Sequence, residues 1–290
     1  MKYLIVKGWL GFGDRLESLK MCVAYAIKHN LQIYVDWRDP IWSHGDNDFY
    51  TYFKLVNMPV LNSLADIPAD ATFYPPFWKD CLNEHVTYDF IQKHKDDNVT
   101  LNVLDKPYDA DVVVYACSGS RILYPDSLFF ANVFRVVDQR ILDKIKYHKS
   151  RFPVESAWGV HIRGTDRMKR MNRRMLGMQA IVSHFTTMGG LNAAHILAVS
   201  DDRENLQIWK NYYPHTYVVS ELGIKTQVLD GNHHLTKENL SSSKDLFNVD
   251  LLTDFFILSM CRMIFSTVKD SRFGQEARRL HPYINTILSK

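Results

Sequence analysis

Short β-branched or aromatic runs alternate with helical stretches along the whole chain, and this alternation most restricts the folds open to it. YLIV (3–6) reads as a strand, 15–29 as a helix and LQIYV (31–35) as a second strand. NVTLNV (98–103) and DVVVYA (111–116) are strand-like, and residues 138–150 make an amphipathic helix with Ile141, Leu142 and Ile145 on one side. After the break at SRFPVES, AWGVHI (157–162) opens a new strand, followed by HILAVS (195–200) and TYVV (216–219). Residues 244–261 form an apolar helix, MIFS (263–266) a last strand and 272–280 a last helix. Such alternation builds parallel sheets from β-α-β units. The strand–loop–helix opening near residue 1 returns near residue 157. The predicted fold class is therefore α/β, with two Rossmann-like domains at 1–152 and 153–290.

A chain of 290 residues suits two domains and buries a core without disulfide staples or a structural metal. A net charge of +3 gives no general pull toward nucleic acid, and no nucleic-acid module is present, so that partner class is not expected. The four cysteines form no C-x-x-C pair and read as reduced thiols. The N-terminal apolar run is too short for a signal sequence, and no stretch reaches the ~18–20 apolar residues of a membrane span. The expected location is cytoplasmic. Aromatic content is high at 13%, which makes flat or ring-shaped ligands worth seeking.

In parallel sheets, ligands sit at the carboxyl ends of strands, so the loops after strands carry the search. GWLGFGDRL (8–16) has glycines at 8, 11 and 13 ahead of a helix whose N–H groups suit an anion. Asp36 ends the next strand where a dinucleotide fold keeps its ribose carboxylate, but Leu16 replaces the third glycine of that fingerprint. In GVHIRGTDRMKR (159–170), His161 and Arg163 project to one side of a strand end, and Asp166 is suited to fixing the loop or orienting Arg163. A guanidinium there holds a phosphate bidentately. Six basic residues fall between 163 and 174, and the later arginines read as the exposed face of a Met-sided helix. AVSDD (198–202) offers Asp201 or Asp202 as a helix N-cap. Asp250 and Asp254 share one face of an apolar helix, where a carboxylate needs a partner, either an arginine or the N1–H and N2–H of guanine. Ser266, Thr267 and Ser271 suit phosphate oxygens or cap the helix that follows. His233 and His234 lack a third ligand at metal spacing, and Cys117 reads as a buried structural thiol.

GFGDRLESLKMCVAYAIKHNLQIYVDWRD (11–39) and HIRGTDR (161–167) resemble the signatures of the nodulation-type and core α1,6-fucosyltransferases, relatives of the protein O-fucosyltransferases. The order of segments is also similar: the His-Arg strand, then SDD, then Asp254, then the Ser/Thr-rich loop. The resemblance implies a GT-B fold with a central cleft, an N-terminal acceptor domain and a C-terminal domain for the nucleotide-sugar donor. It implies inverting transfer of L-fucose from GDP-fucose to a glycan hydroxyl, with no cofactor and no metal. Arg163 would then be catalytic, clamping the diphosphate, while His161 and Asp254 hold the guanosine. Ser266, Thr267 and Ser271 would serve the phosphates, with Asp202 beside them. The loop of Gly11, Phe12, Gly13, Asp14 and Arg15 would close on the donor. The family's second arginine is Gly164 here, and the acidic residue that follows the motif in core fucosyltransferases is replaced by Met171 and neighbouring arginines. Two other readings use the same residues: an NAD(P)-dependent oxidoreductase built on Gly11, Gly13 and Asp36, and a non-catalytic GDP-sugar or glycan-binding module. The aromatics Trp37, Trp42, Tyr50, Tyr52, Phe77 and Trp78 are expected to line an acceptor cleft.

Overall fold

The computed structural model describes residues 2–45, 47–101, 104–116, 127–164, 174–222, 235–269 and 271–289. Contacts divide the chain into two units, Met1–Val137 with Asn285–Lys290, and Asp138–Ile284. This division precedes the Gln139–Arg151 helix, whereas the sequence pattern puts the join after it, at 152/153. That helix buries Ile141 and Ile145, and it is tied to the Lys244–Met260 helix of the second unit. The ties are Lys144 to Asp250 at 2.7 Å and Arg140 to Asp245 at 2.9 Å.

The first unit contains β1 (Tyr3–Lys7), β2 (Gln32–Asp36), β3 (Phe53–Leu55), β4 (Phe73–Tyr74), β5 (Val112–Tyr115) and β6 (Phe134–Val136). Its parallel sheet runs β2-β1-β5-β4, with Val6 opposite Val35 and Tyr115. All five residues of β1 are buried, as in a central strand covered on both faces. The Phe12–Lys28 helix starts after Gly11 and buries Leu16, Leu19, Val23 and Ala26 at helical spacing. It ends where Asn30 turns left-handed (φ 52°). There Leu31 N–H donates to Ala26 O at 2.8 Å and Asn30 N–H to Ile27 O at 3.2 Å, satisfying the last carbonyls.

Two expectations for this unit are corrected. Residues 98–101 form no strand: Asn98 adopts φ 50°, which an extended strand does not allow, and Leu101 contributes one bond to Ala116 O. The aromatics are mainly core, because Trp37, Trp42, Tyr52 and Trp78 are all buried. Phe12, Trp42, Phe53 and Phe134 stack at 4.9–5.9 Å, around the antiparallel pair β3–β6. Tyr50 is half-buried and accepts the Val35 N–H at 3.1 Å, while Phe77 packs against the core around Trp78.

The second unit contains β7 (Trp158–Ile162), β8 (Ile196–Ser200), β9 (Tyr217–Val218) and β10 (Met263–Ser266), in the parallel order β10-β7-β8-β9. Val160, Ile162, Phe185, Ala198 and Trp209 form one core layer on this sheet. In both units the first strand lies between neighbours that the chain reaches in opposite directions: β1 between β2 and β5, and β7 between β8 and β10. Such a reversal of strand order opens a crevice at the carboxyl ends. Among the described residues, no helix is long and apolar enough to cross a membrane.

Candidate active site

At the carboxyl end of β7, His161 is 4% exposed, with Nδ1 3.1 Å from the Ser266 hydroxyl and its ring 5.0 Å from that of Phe273. Burial, then the charges of Arg163 and Arg278, push its pKa down to about 3, so the imidazole is neutral. The pairing of β10 with β7 continues past both strands. Thr267 N–H donates to the His161 carbonyl at 3.0 Å, and Arg163 N–H donates to Thr267 Oγ1 at 2.9 Å. The Arg163 side chain is 22% exposed, and its guanidinium lies 2.8 Å from Asp201 Oδ2. The other oxygen of Asp201 accepts the Gly164 N–H at 2.8 Å. One buried carboxylate therefore fixes both the Arg163 side chain and the backbone that follows it.

The two aspartates that the sequence offers as alternative caps have separate jobs. Asp202 caps the Arg203–Tyr212 helix, accepting from Asn205 N–H at 3.1 Å and from its side-chain amide at 2.8 Å. Gly164 lies directly against this cap. A Cβ on residue 164 would stand 2.1 Å from Asp202 Cβ and 2.3 Å from Oδ2, so no side chain fits. The missing second arginine is thus accounted for by the seat of Asp202.

Asp250, on the Lys244–Met260 helix, is paired with Lys144 at 2.7 Å. Asp254, one turn further, is 2% exposed, and among the described residues its Oδ1 has no hydrogen-bond partner. Burial pushes its pKa well above the usual carboxylate range, and neighbouring Ser220 pulls it back only in part. A buried carboxyl with a free oxygen suits a ligand carrying N–H donors. The helix joins the β7 edge through apolar rings, since Phe255 packs 5.1 Å from Phe273, the ring that supports His161. Ser271 starts the Arg272–Leu280 helix without a side-chain cap bond, leaving that N-terminus open to an anion. Ser266 Oγ also donates to Val268 O at 3.0 Å, which shapes the loop toward Ser271.

In the first unit the glycine loop is built around a buried ion pair. Arg15 meets Asp39 bidentately at 2.8 and 2.6 Å, donates to Leu10 O at 2.9 Å, and lies 5.5 and 5.4 Å from the rings of Trp37 and Trp42. A Cβ on Gly8 would stand 2.0 Å from the Arg15 guanidinium, so the turn requires glycine there. Phe12 and Gly13 are buried, and Gly11 and Asp14 are half-buried. Gly11 is an N-cap without a side-chain bond, so the backbone of this loop, rather than Arg15, is its donor surface. Asp36 is held by Lys7 and by Arg38, each at 2.7 Å. Burial pushes the Asp36 carboxyl up, but the Arg38 hydrogen bond and the Lys7 charge outweigh it and keep the pKa below the usual value.

No family model matches the sequence, and no curated protein matches it. Solved structures do match. NodZ α-1,6-fucosyltransferase soaked with GDP-fucose aligns over 97% of this chain and 94% of its own, with 18% identity and a TM-score of 0.67. Fucosyltransferase NodZ from Bradyrhizobium aligns over 96% and 92%, with 17% identity and a TM-score of 0.68. POFUT1 in complex with GDP aligns over 96% and 94%, with 10% identity and a TM-score of 0.54. The chain shares the fold of these fucosyltransferases. The expected α/β, GT-B class is therefore established.

Within this fold, His161 with Ser266, Arg163 with Thr267, and Gly164 with Asp202 are in direct contact, whereas Asp254 and Ser271 are linked to them through Phe255, Phe273 and the Ser266 loop. The sequence offers Asp201 only as a helix cap, and its grip on Arg163 is what sequence reasoning missed. Its only signal was a second carboxylate where one cap suffices. Asp166 and most of the cationic stretch (165–173), Cys117, His233 and His234 lie outside the described residues. Among the described residues, no group of three or more His, Cys, Asp or Glu side chains is arranged to hold a metal ion.

Proposed function

We propose that the chain is a glycosyltransferase that takes GDP-fucose as donor and transfers fucose to a glycan hydroxyl with inversion. The observation that carries this reading is the β7 edge, where a half-buried guanidinium, a neutral imidazole and two hydroxyl side chains are fixed at a strand-order reversal. The likeness in fold to enzymes solved with GDP-fucose and GDP supports the same reading. In this reading, Asp254 and His161 take the guanosine, with the Asp254 oxygen accepting the guanine N1–H and N2–H. Arg163, Ser266, Thr267 and Ser271 of the Asp138–Ile284 unit serve the diphosphate, and the Met1–Val137 unit takes the acceptor. When the bond between the sugar C1 and the β-phosphate oxygen breaks, negative charge grows on GDP. Arg163, already oriented by Asp201, meets that charge without reorganising. The guanidinium takes the part that a metal ion plays in other transferases, so the reaction is proposed to be metal-independent.

A dinucleotide reading is disfavoured because Asp36 is already held by two cations, which a ribose would have to displace. Calorimetric titration with GDP, UDP and NAD, with and without EDTA, tests the proposal. GDP alone is expected to bind tightly, and EDTA to leave its affinity unchanged. Preference for UDP or NAD, or loss of GDP binding in EDTA, would overturn it.

A further inference from the structure

A cavity of about 230 Å³ lies at the edge of the second unit's sheet opposite to His161 and Arg163. It sits between the turn at Gly190–Asn192, which leads into β8, and the turn at 213–216, which leads into β9. Ile196, at the amino end of β8, pairs with Trp158 at the amino end of β7, so the length of β7, about 13 Å, separates the cavity from the carboxyl edge. Three of its walls are fixed. The backbone at Gly190 presses on Phe185, because a Cβ there would stand 2.2 Å from that ring. Tyr213 packs its ring against Phe185 and Trp209, at 5.3 and 4.8 Å, and its hydroxyl lies 2.9 Å from Thr186 Oγ1. Pro214 takes the second position of a β-turn closed by the Thr216 N–H donating to the Tyr213 carbonyl at 3.1 Å. The Thr216 hydroxyl accepts the Trp209 indole N–H at 3.2 Å and donates to the Tyr213 carbonyl at 2.7 Å. These walls need no ordering when a ligand enters.

The remaining lining residues set the chemistry. Ala193 and Ala194 are short enough to leave the hollow open, and with Pro214 they give it an apolar surface. Tyr212 ends the Arg203–Tyr212 helix, 44% exposed, with its ring stacked on no other and its hydroxyl unbonded among the described residues. His215 is exposed, and its ring nitrogens are likewise unbonded. No Lys, Arg, Asp or Glu lines the cavity, so a phosphate finds no cation there and a guanine no carboxylate. A sugar ring matches this lining: its C–H face suits the tyrosine ring and the alanines, and its neutral hydroxyls suit the free groups of Tyr212 and His215. The volume admits one such ring and is too small for a nucleotide. We propose that this cavity is a carbohydrate-binding site, separate from the donor site, that holds one neutral pyranose residue of a glycan. That the glycan is the enzyme's own acceptor rests on the transferase reading above, whereas the fit of a sugar ring does not.

The test uses the full chain and the methyl glycosides of glucose, N-acetylglucosamine, galactose, mannose and fucose, in ligand-observed saturation-transfer NMR with and without saturating GDP. At least one glycoside is expected to bind with a Kd on the order of millimolar, as a single ring allows, and GDP should not displace it. Tyr212→Ala removes the exposed ring, and Ala194→Phe fills the hollow from the other side. Each should weaken glycoside binding about tenfold or more while GDP affinity and Tm keep their wild-type values, since both positions are exposed. Absence of glycoside binding, binding untouched by both variants, or displacement by GDP would overturn the proposal. So would tighter binding of adenosine or of a polyproline peptide than of every glycoside. A chain that binds a glycoside at this cavity but binds no GDP would overturn the donor reading and leave the carbohydrate site standing.

Discussion

Gly164→Ala adds one methyl group at the most crowded point of the β7 edge. The new Cβ would stand 2.1 Å from Asp202 Cβ and 2.3 Å from Oδ2, closer than atoms approach, and because a Cβ is fixed by its backbone, the Asp202 backbone must shift and carry the side chain off the cap. Losing the cap of the Arg203–Tyr212 helix costs about 1 kcal/mol. The Asn205 amide, which is fully buried and donates to Asp202 at 2.8 Å, is then left without that partner, adding about 1–3 kcal/mol. The sum is about 2–4 kcal/mol. For a unit of this size each kcal/mol lowers Tm by about 2–4 °C, so a fall on the order of 10 °C is expected in calorimetry. Asp202→Gly alone should cost only the cap and its Asn205 bond, because it removes the obstacle. Adding Gly164→Ala to Asp202→Gly should then cost almost nothing, a non-additivity of about 2 kcal/mol. A Gly164→Ala protein that melts within about 1 °C of the wild type would refute the steric reasoning and, with it, the account of the missing arginine.

Asp39→Ala leaves the fully buried Arg15 guanidinium unpaired and should cost about 3–5 kcal/mol in urea unfolding, whereas a loss below about 1 kcal/mol would mean Arg15 finds water. Burial raises the pKa of the Asp254 carboxyl, so below that raised value GDP binding through a carboxylate expels a proton, and affinity should rise with pH until the raised pKa is passed. Titrations in two buffers of different protonation enthalpy read that proton, and Asp254→Asn should abolish its release and weaken binding. In stability the sign is the reverse. A raised folded pKa favours the native state only at low pH, and that advantage is lost as pH climbs from the unfolded value of about 3.9. Asp254→Asn should therefore gain in Tm over the wild type as pH rises, and a difference that stays flat would contradict a carboxyl raised by burial with Oδ1 left unpaired among the described residues.

The parallel strands were legible because their apolar runs are local and bounded by turns, and eleven of the expected elements are found within a few residues of their predicted ends. The pair β3–β6 was not, since three-residue strands leave no period to detect and depend on a partner about 80 residues away. The aromatic excess misled for a related reason. Composition cannot separate a ring that binds sugar from one that fills a core, and Trp37 and Trp42 instead enclose the Arg15–Asp39 pair. The β7 edge could be read in outline from HIRGTD, while its internal wiring could not. Which aspartate caps and which grips Arg163 depends on the register of β7 with β8, set by pairs such as Ile162 with Ser200. Asp36 was correctly located at a strand end, but its two cationic partners come from β1 and from the residue two positions on.

The central claim is that Arg163, oriented by Asp201, neutralises the charge that develops on the departing GDP. Single-turnover transfer from GDP-fucose by the wild type and Arg163→Ala, with EDTA present throughout, tests it most directly. The account predicts a loss of about 2–4 kcal/mol in transition-state stabilisation, roughly thirty- to a thousandfold in rate, with GDP itself still bound. An Arg163→Ala enzyme that transfers fucose at the wild-type rate would contradict it.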